Sequence, residues 1–148
     1  MSKIGIVVSR FNKPITDKLL KGALRALEEN NITKDNINVF YAPGAYEIPL
    51  VLKKLCSGSE KYNGLMALGC LIKGETAHFE YISGSVSKMI NELACEYETP
   101  IGFGVLTCYT AEQAYERSLD DPINAERNKG YETALAVVEM MELLKKLS

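Results

Sequence analysis

The stretch Leu65-Met66-Ala67-Leu68-Gly69-Cys70-Leu71-Ile72-Lys73-Gly74-Glu75-Thr76-Ala77-His78 decides the fold of this chain. Its first part is a short, uncharged apolar run bounded by glycine, which reads as a buried strand. The run breaks at Lys73-Gly74, and a polar loop then opens a helix that carries the chain's single histidine. That helix spans Phe79 to Glu98, because Thr99-Pro100 forces an extended residue after it. A strand feeding a helix through a Gly-Glu-Thr turn leaves backbone N–H groups unsatisfied at the helix start, and such groups form a ready anion site. His78, the one side chain that titrates near neutral pH, stands within a turn of them. Acid–base chemistry on an anionic substrate is what this juxtaposition implies.

The same pattern recurs on either side. Ile4–Val8 is an apolar strand followed by the loop Ser9-Arg10-Phe11-Asn12-Lys13-Pro14, then a helix with Ile15, Leu19, Ala23, Ala26 and Leu27 at helical spacing, ending near Asn30-Asn31. Ile37–Ala42 is a second strand, Pro43–Glu47 a loop, and Ile48–Leu55 a helix with Pro49 in its first turn. Ile101–Thr107 is a fourth strand, followed by a short helix over Ala111–Arg117 and a long one over Lys129–Leu147. Strands alternating with helices imply right-handed crossovers and a parallel sheet covered on both faces. The expected fold is α/β, a flavodoxin-like three-layer α/β/α sandwich with a central four-stranded parallel sheet. Ligands in such folds bind beyond the carboxyl ends of the strands. The loops Ser9–Pro14, Pro43–Glu47, Lys73–His78 and Thr107–Thr110 therefore gather at one edge.

Bulk composition narrows the function. A chain of 148 residues makes one domain, residues 1–148, large enough for a substantial core. A net charge of −2 gives no reason to expect nucleic acid or an anionic membrane as partner. No apolar stretch reaches the roughly 20 residues of a membrane helix, and Ile4 begins a strand where a signal peptide would lie. Cys56, Cys70, Cys95 and Cys108 lack metal-site spacing and sit in apolar stretches, so the expectation is reduced, buried thiols, a cytoplasmic setting and no metal. The last helix carries Tyr131, Ala134, Leu135, Val138 and Met141 as one stripe, with Ala136, Val137, Met140, Leu143, Leu144 and Leu147 around most of the rest. That arc exceeds what one sheet face buries and implies contact with another subunit.

Each candidate site residue has two readings. His78 is an acid–base group or a satisfied helix residue. Thr76 is a phosphate ligand, an N-cap, or both. Phe11 is a stacking platform or a lid over the core. Glu47 accepts hydrogen bonds from a substrate or favours a helix N-terminus. Arg117 and Lys129 read as solvated charges, and Phe103 as core.

Taken together the loops resemble the 6,7-dimethyl-8-ribityllumazine synthase family of riboflavin biosynthesis. The likeness covers nearly the whole chain and rests on Ser9-Arg10-Phe11-Asn12, Pro43-Gly44-Ala45-Tyr46-Glu47-Ile48-Pro49, Gly74-Glu75-Thr76-Ala77-His78-Phe79-Glu80-Tyr81, Phe103-Gly104-Val105-Leu106-Thr107, Glu112-Gln113-Ala114-Tyr115-Glu116-Arg117 and Asn128-Lys129-Gly130. It implies a transferase that condenses 5-amino-6-(D-ribitylamino)uracil with 3,4-dihydroxy-2-butanone 4-phosphate, the penultimate step of the pathway, with no cofactor. Under the resemblance Phe11 stacks on the pyrimidine, Ala45, Tyr46 and Glu47 hold the ribityl chain, and backbone groups of Cys70, Leu71 and Ile72 read the pyrimidine edge. Glu75 and Thr76 cradle the phosphate with Arg117, and His78 shuttles protons. Phe103, Arg117 and Lys129 reach the site from an adjacent subunit of a homopentamer. Asn12 is a further candidate. The related archaeal-type riboflavin synthases fit the Gly-Glu-Thr-Ala-His loop with Phe11 and Arg117 less well. A phosphoacceptor module would need acids where Ser9-Arg10 and Lys73-Gly74 stand, and a non-catalytic shell or flavin-binding paralogue has no use for His78 and Arg117.

The chain departs from the family pattern at several points. Lys73 stands where Arg is usual, Glu75 where a small residue is usual, and Tyr46 where Phe is usual. The link Ser118–Arg127 is longer than a Gly-rich connection and carries Asp120-Asp121-Pro122, and the N-terminal extension common in the family is missing. Bulk and acid repulsion at that link imply free pentamers, or loose decamers, instead of closed shells.

Overall fold

The computed structural model describes residues 2–121, 125 and 127–148. Four strands, β1 (Ile4–Ser9), β2 (Ile37–Ala42), β3 (Gly64–Ile72) and β4 (Ile101–Cys108), form one sheet in the order β2-β1-β3-β4. Every pairing is parallel, and β2 and β4 are the edges. Among the described residues five α-helices cover it: α1 (Lys13–Glu29), α2 (Ile48–Ser57), α3 (His78–Tyr97), α4 (Ala111–Glu116) and α5 (Lys129–Leu147). The result is the three-layer α/β sandwich that the alternation implies. No helix among the described residues is long and apolar enough to cross a membrane.

The pleat sorts each strand between two cores. Ile4, Ile6 and Val8 of β1, Met66, Leu68 and Cys70 of β3, and Leu106 and Cys108 of β4 pack with Leu19, Ala23, Leu27, Ala134, Val137 and Met141 of α1 and α5. Val7, Leu65, Ala67 and Val105 point the other way, onto Ile48 and Leu52 of α2 and Val86, Ile90 and Leu93 of α3. Two buried faces explain why β1 and β3 read as continuous apolar runs.

Several boundaries differ from the sequence expectation. α1 begins at Lys13, ahead of Ile15, because Pro14 is accommodated in its first turn. α3 begins at His78 and ends at Tyr97, β4 runs on to Cys108, and α4 stops at Glu116 with Arg117 as its C-cap. Short 3-10 turns occupy Lys34–Asn36 and Ala45–Glu47, inside stretches expected as loop. The inward stripe of α5 is Gly130, Thr133, Ala134, Val137 and Met141, and Leu135 faces outward with Met140, Leu143 and Leu147. Apolar periodicity misses this stripe because its N-terminal half is made of small or polar residues, Gly130 lying against Leu19 of α1 and Thr133 against Gly102 and Gly104 of β4. The cysteines also differ: Cys70 and Cys108 are buried, Cys56 is half-buried and Cys95 is exposed. Cys95 follows the inward Leu93 by two positions, which on a helix carries it to the outer face.

Within the Ser118–Arg127 link, Pro122, Ile123, Asn124 and Glu126 lie outside the described residues. Asp120 is drawn onto α1, 2.9 Å from Arg25 and 3.5 Å from Lys21. The repulsion expected of the Asp120-Asp121 pair is weakened accordingly.

The α1–α5 crossing yields a stability prediction. A Cβ built on Gly130 would stand 1.9 Å from the Leu19 carbonyl oxygen and 2.6 Å from its carbon. In an open helix Gly→Ala gains up to about 1 kcal/mol. Here the sign reverses, because backbone cannot rotate away as a side chain can, and Gly130→Ala should cost about 1–3 kcal/mol or more. Urea denaturation reads this directly; a midpoint equal to that of the unsubstituted protein would refute the close crossing.

Candidate active site

At the carboxyl ends of β1, β2 and β3 lies a cleft of about 810 Å³. Phe11 and Asn12 come from the β1–α1 loop, Gly44 to Glu47 from the loop after β2, and Cys70, Leu71 and Ile72 from the end of β3. Gly74, Thr76 and His78 close it on the α3 side with Phe79, Tyr81 and Ile82. The cleft forms because β3 outruns its neighbour. Its pairing with β1 stops at Leu68, whereas its pairing with β4 continues to Ile72.

Phe11 and Tyr46 project into solvent, 67% and 64% exposed, with free ring faces for a planar ligand. Ala45 is buried beneath them, and the 3-10 turn Ala45–Glu47 presents the exposed Glu47 carboxylate at the rim. Burial pushes the Cys70 thiol up to about 12, with the Cys108 thiol adding to the effect. It is therefore protonated at neutral pH, no nucleophile, and its polar contribution to the cleft is its backbone.

His78 is the first residue of α3 and is exposed. Ala77, and not Thr76, holds the N-cap position and offers no side-chain cap. Thr76 Oγ1 accepts from the His78 N–H at 3.4 Å, a long bond that leaves the hydroxyl free to donate. Glu75 is exposed and absent from the cleft lining. Lys73 turns away toward α3 and the β4–α4 loop. Its ammonium lies 3.7 Å from Glu80 and 5.5 Å from the centre of the Tyr109 ring.

No lysine or arginine lines this cleft among the described residues. The cations gather elsewhere. A second depression of about 310 Å³ runs along the free edge of β4, lined by Phe103, Thr107, Arg117, Arg127, Lys129 and Glu132 among others. A shallower hollow lies between the two, sharing Phe79 with the first and Phe103 and Thr107 with the second. The candidate residues thus fall into two groups within one subunit: Phe11, Asn12, Ala45, Tyr46, Glu47, Cys70, Leu71, Ile72, Thr76 and His78 in the cleft, and Phe103, Arg117 and Lys129 at the β4 edge.

The edge group is held by backbone. A capping box fixes the start of α4, where Thr110 accepts from the Gln113 N–H and Gln113 accepts in return. The Arg117 guanidinium donates to the Gln113 carbonyl at 3.1 Å, and its own carbonyl accepts from the Lys129 N–H at 2.7 Å. Buried Asn128 caps α5 by accepting from the Tyr131 N–H and donates to the carbonyls of Lys18 and Leu119. The Arg117 charge also draws the Cys108 thiol down against the larger upward push of burial.

Sequence reasoning missed Arg127, Tyr81 and Ile82 as lining residues, and the structural part played by Asn128. An Asn immediately before a helix is a capping signal, but nothing in the sequence discloses that its amide also reaches α1. The model of the 6,7-dimethyl-8-ribityllumazine synthase family matches residues 1–145 of the 148-residue chain. With a four-stranded parallel sheet, an aromatic-walled cleft at its carboxyl edge and a match over nearly its full length, the chain belongs to the 6,7-dimethyl-8-ribityllumazine synthase family, a family of enzymes.

Proposed function

We propose that this protein, acting as a single domain in the cytoplasm, condenses 5-amino-6-(D-ribitylamino)uracil with 3,4-dihydroxy-2-butanone 4-phosphate, giving 6,7-dimethyl-8-ribityllumazine, phosphate and water. The observation that carries this is the pairing of exposed aromatic faces with a histidine at a helix N-terminus in one cleft. Phe11 stacks on the pyrimidine, Ala45, Tyr46 and Glu47 hold the ribityl hydroxyls, and the main chain of Leu71 and Ile72 meets the pyrimidine edge. The substrate amine attacks the ketone and water leaves as the imine forms. Phosphate elimination and ring closure with loss of a second water follow, and each step moves a proton that His78 is placed to carry. The phosphate lies by Thr76 and the α3 N-terminus, where N–H groups face it. Glu75 contributes its N–H alone, since its carboxylate would repel the phosphate. Following lumazine absorbance with both substrates, and with each withheld, tests the reaction. Purified protein that forms no lumazine from the pair would end this reading.

Among the described residues the cleft's phosphate end lacks a cation, and the β4 edge carries Arg117, Arg127 and Lys129 with a single carboxylate, Glu132. The two are complementary halves of one site shared head-to-tail, an arrangement that closes into a ring, here a homopentamer. Refolding an equal mixture of His78→Ala and Arg117→Ala proteins should then place both intact residues at about a quarter of the interfaces, with activity near a quarter of the unsubstituted level when the butanone phosphate is held far below the KM of Arg117→Ala. A mixture no more active than the mean of its two components would show that each subunit carries a complete site.

A further inference from the structure

We infer that Asn12 is a positioning residue, whose side chain substitutes for a missing strand donor and so fixes the angle of Phe11 over the cleft. The inference rests on the proposed function for its consequence in catalysis, and on geometry alone for the clamp itself.

β1 ends its pairing with β3 at Val8, yet the chain is still tied to β2. The Arg10 N–H donates to the Ala42 carbonyl at 2.8 Å, and the Phe11 N–H to the Pro43 carbonyl at 3.1 Å. Successive N–H groups of an extended strand alternate in direction. Two in a row toward β2 mean that the chain has left the strand and offers no main-chain donor to β3. The Cys70 carbonyl, on β3 beyond its last β1 partner, instead accepts from the Asn12 side-chain amide at 2.9 Å.

The backbone of Asn12 is committed as well. It lies at φ 63°, ψ 43°, in the left-handed region, and its carbonyl accepts from the N–H groups of Ile15 and Thr16 to begin α1. An Asn at this position ordinarily caps the helix with its side chain. Here the side chain makes no such cap and crosses to β3 instead. One residue therefore joins the end of β1, the end of β3 and the start of α1. Phe11, immediately before it, is mostly exposed and has little packing to hold its ring. Its direction comes from the backbone on either side. Glycine could supply the left-handed backbone but no donor, aspartate tolerates the backbone but when ionised sets a carboxylate against a carbonyl, and other donors resist the backbone. Asparagine meets both demands.

The test uses full-length Asn12→Gly, which keeps the backbone free, beside Asn12→Asp. Losing one neutral hydrogen bond should speed deuterium uptake in the segment 9–14 by about five- to tenfold and raise KM for the ribitylaminouracil by a similar factor. KM for the butanone phosphate should stay within about twofold, a split that general destabilisation would not produce. Asn12→Asp should exceed Asn12→Gly in both readouts. Unchanged uptake in both variants overturns the clamp, and faster uptake with an unchanged pyrimidine KM, or with both KM values raised alike, overturns its part in holding Phe11. If the unsubstituted protein forms no lumazine, the functional reading fails separately, and uptake alone decides the clamp.

Discussion

Replacing Arg117 with alanine should raise KM for the butanone phosphate roughly ten- to hundredfold while leaving the ribitylaminouracil nearly unaffected. A charge-assisted hydrogen bond to phosphate is worth about 1.5–3 kcal/mol, and each 1.4 kcal/mol is about tenfold in affinity. The upper part of this range applies because no other cation lines the cleft among the described residues. Lys73, the nearest by sequence, is engaged with Glu80 and Tyr109. Rescue by movement is also restricted. The guanidinium is tied to the Gln113 carbonyl and the backbone is bonded to Lys129, so the position is prepared in advance of the ligand. Arg127 and Lys129, in the same depression, are the cations available to compensate, and they set the lower bound. Arg117→Lys should fall between, keeping the charge and losing the planar fork. Competition by inorganic phosphate should weaken in parallel in Arg117→Ala. If KM rises equally for the two substrates, Arg117 does not serve the phosphate.

How much of this is legible in the sequence depends on whether the signal is local. The extent of β2 and the limits of α5 follow from apolar runs, and both agree residue for residue with the sequence expectation. The gathering of loops at one edge follows from strand–helix alternation, which makes the sheet parallel. What failed was anything set by a partner far along the chain. Asn12 reaches the carbonyl of Cys70, 58 residues away, and no periodicity reports on that. Asn128 reaches Lys18 across 110 residues, and its burial follows from that contact. Lys73 stands in sequence two residues before Glu75, yet its ammonium turns to the carboxylate of Glu80 and the ring of Tyr109, and nothing local discloses that. The separation of Arg117 from the cleft was likewise invisible to local pattern. It follows from β4 being an edge strand, a fact of topology.

His78→Ala should lower kcat by about a hundredfold or less, with both KM values nearly unchanged. An imidazole that carries protons contributes typically about 10²–10⁴ in rate, and three features place this one at the low end. The side chain is exposed at the head of α3, so water reaches the same positions and can relay protons more slowly. The reactants bring an amine and a ketone that combine readily once aligned, and holding two reactants together is itself worth about 7–11 kcal/mol of the barrier in favourable geometry. The groups assigned to binding, Phe11, Tyr46, Thr76 and Arg117, are all retained in the variant, so alignment survives. A loss confined to kcat is the mark of an interaction made in the transition state alone. Steady-state kinetics on a variant with unaltered circular dichroism supplies the measurement. Turnover abolished altogether in that folded variant would mean that His78 does more than carry protons, and a raised KM for either substrate would make it a binding group instead.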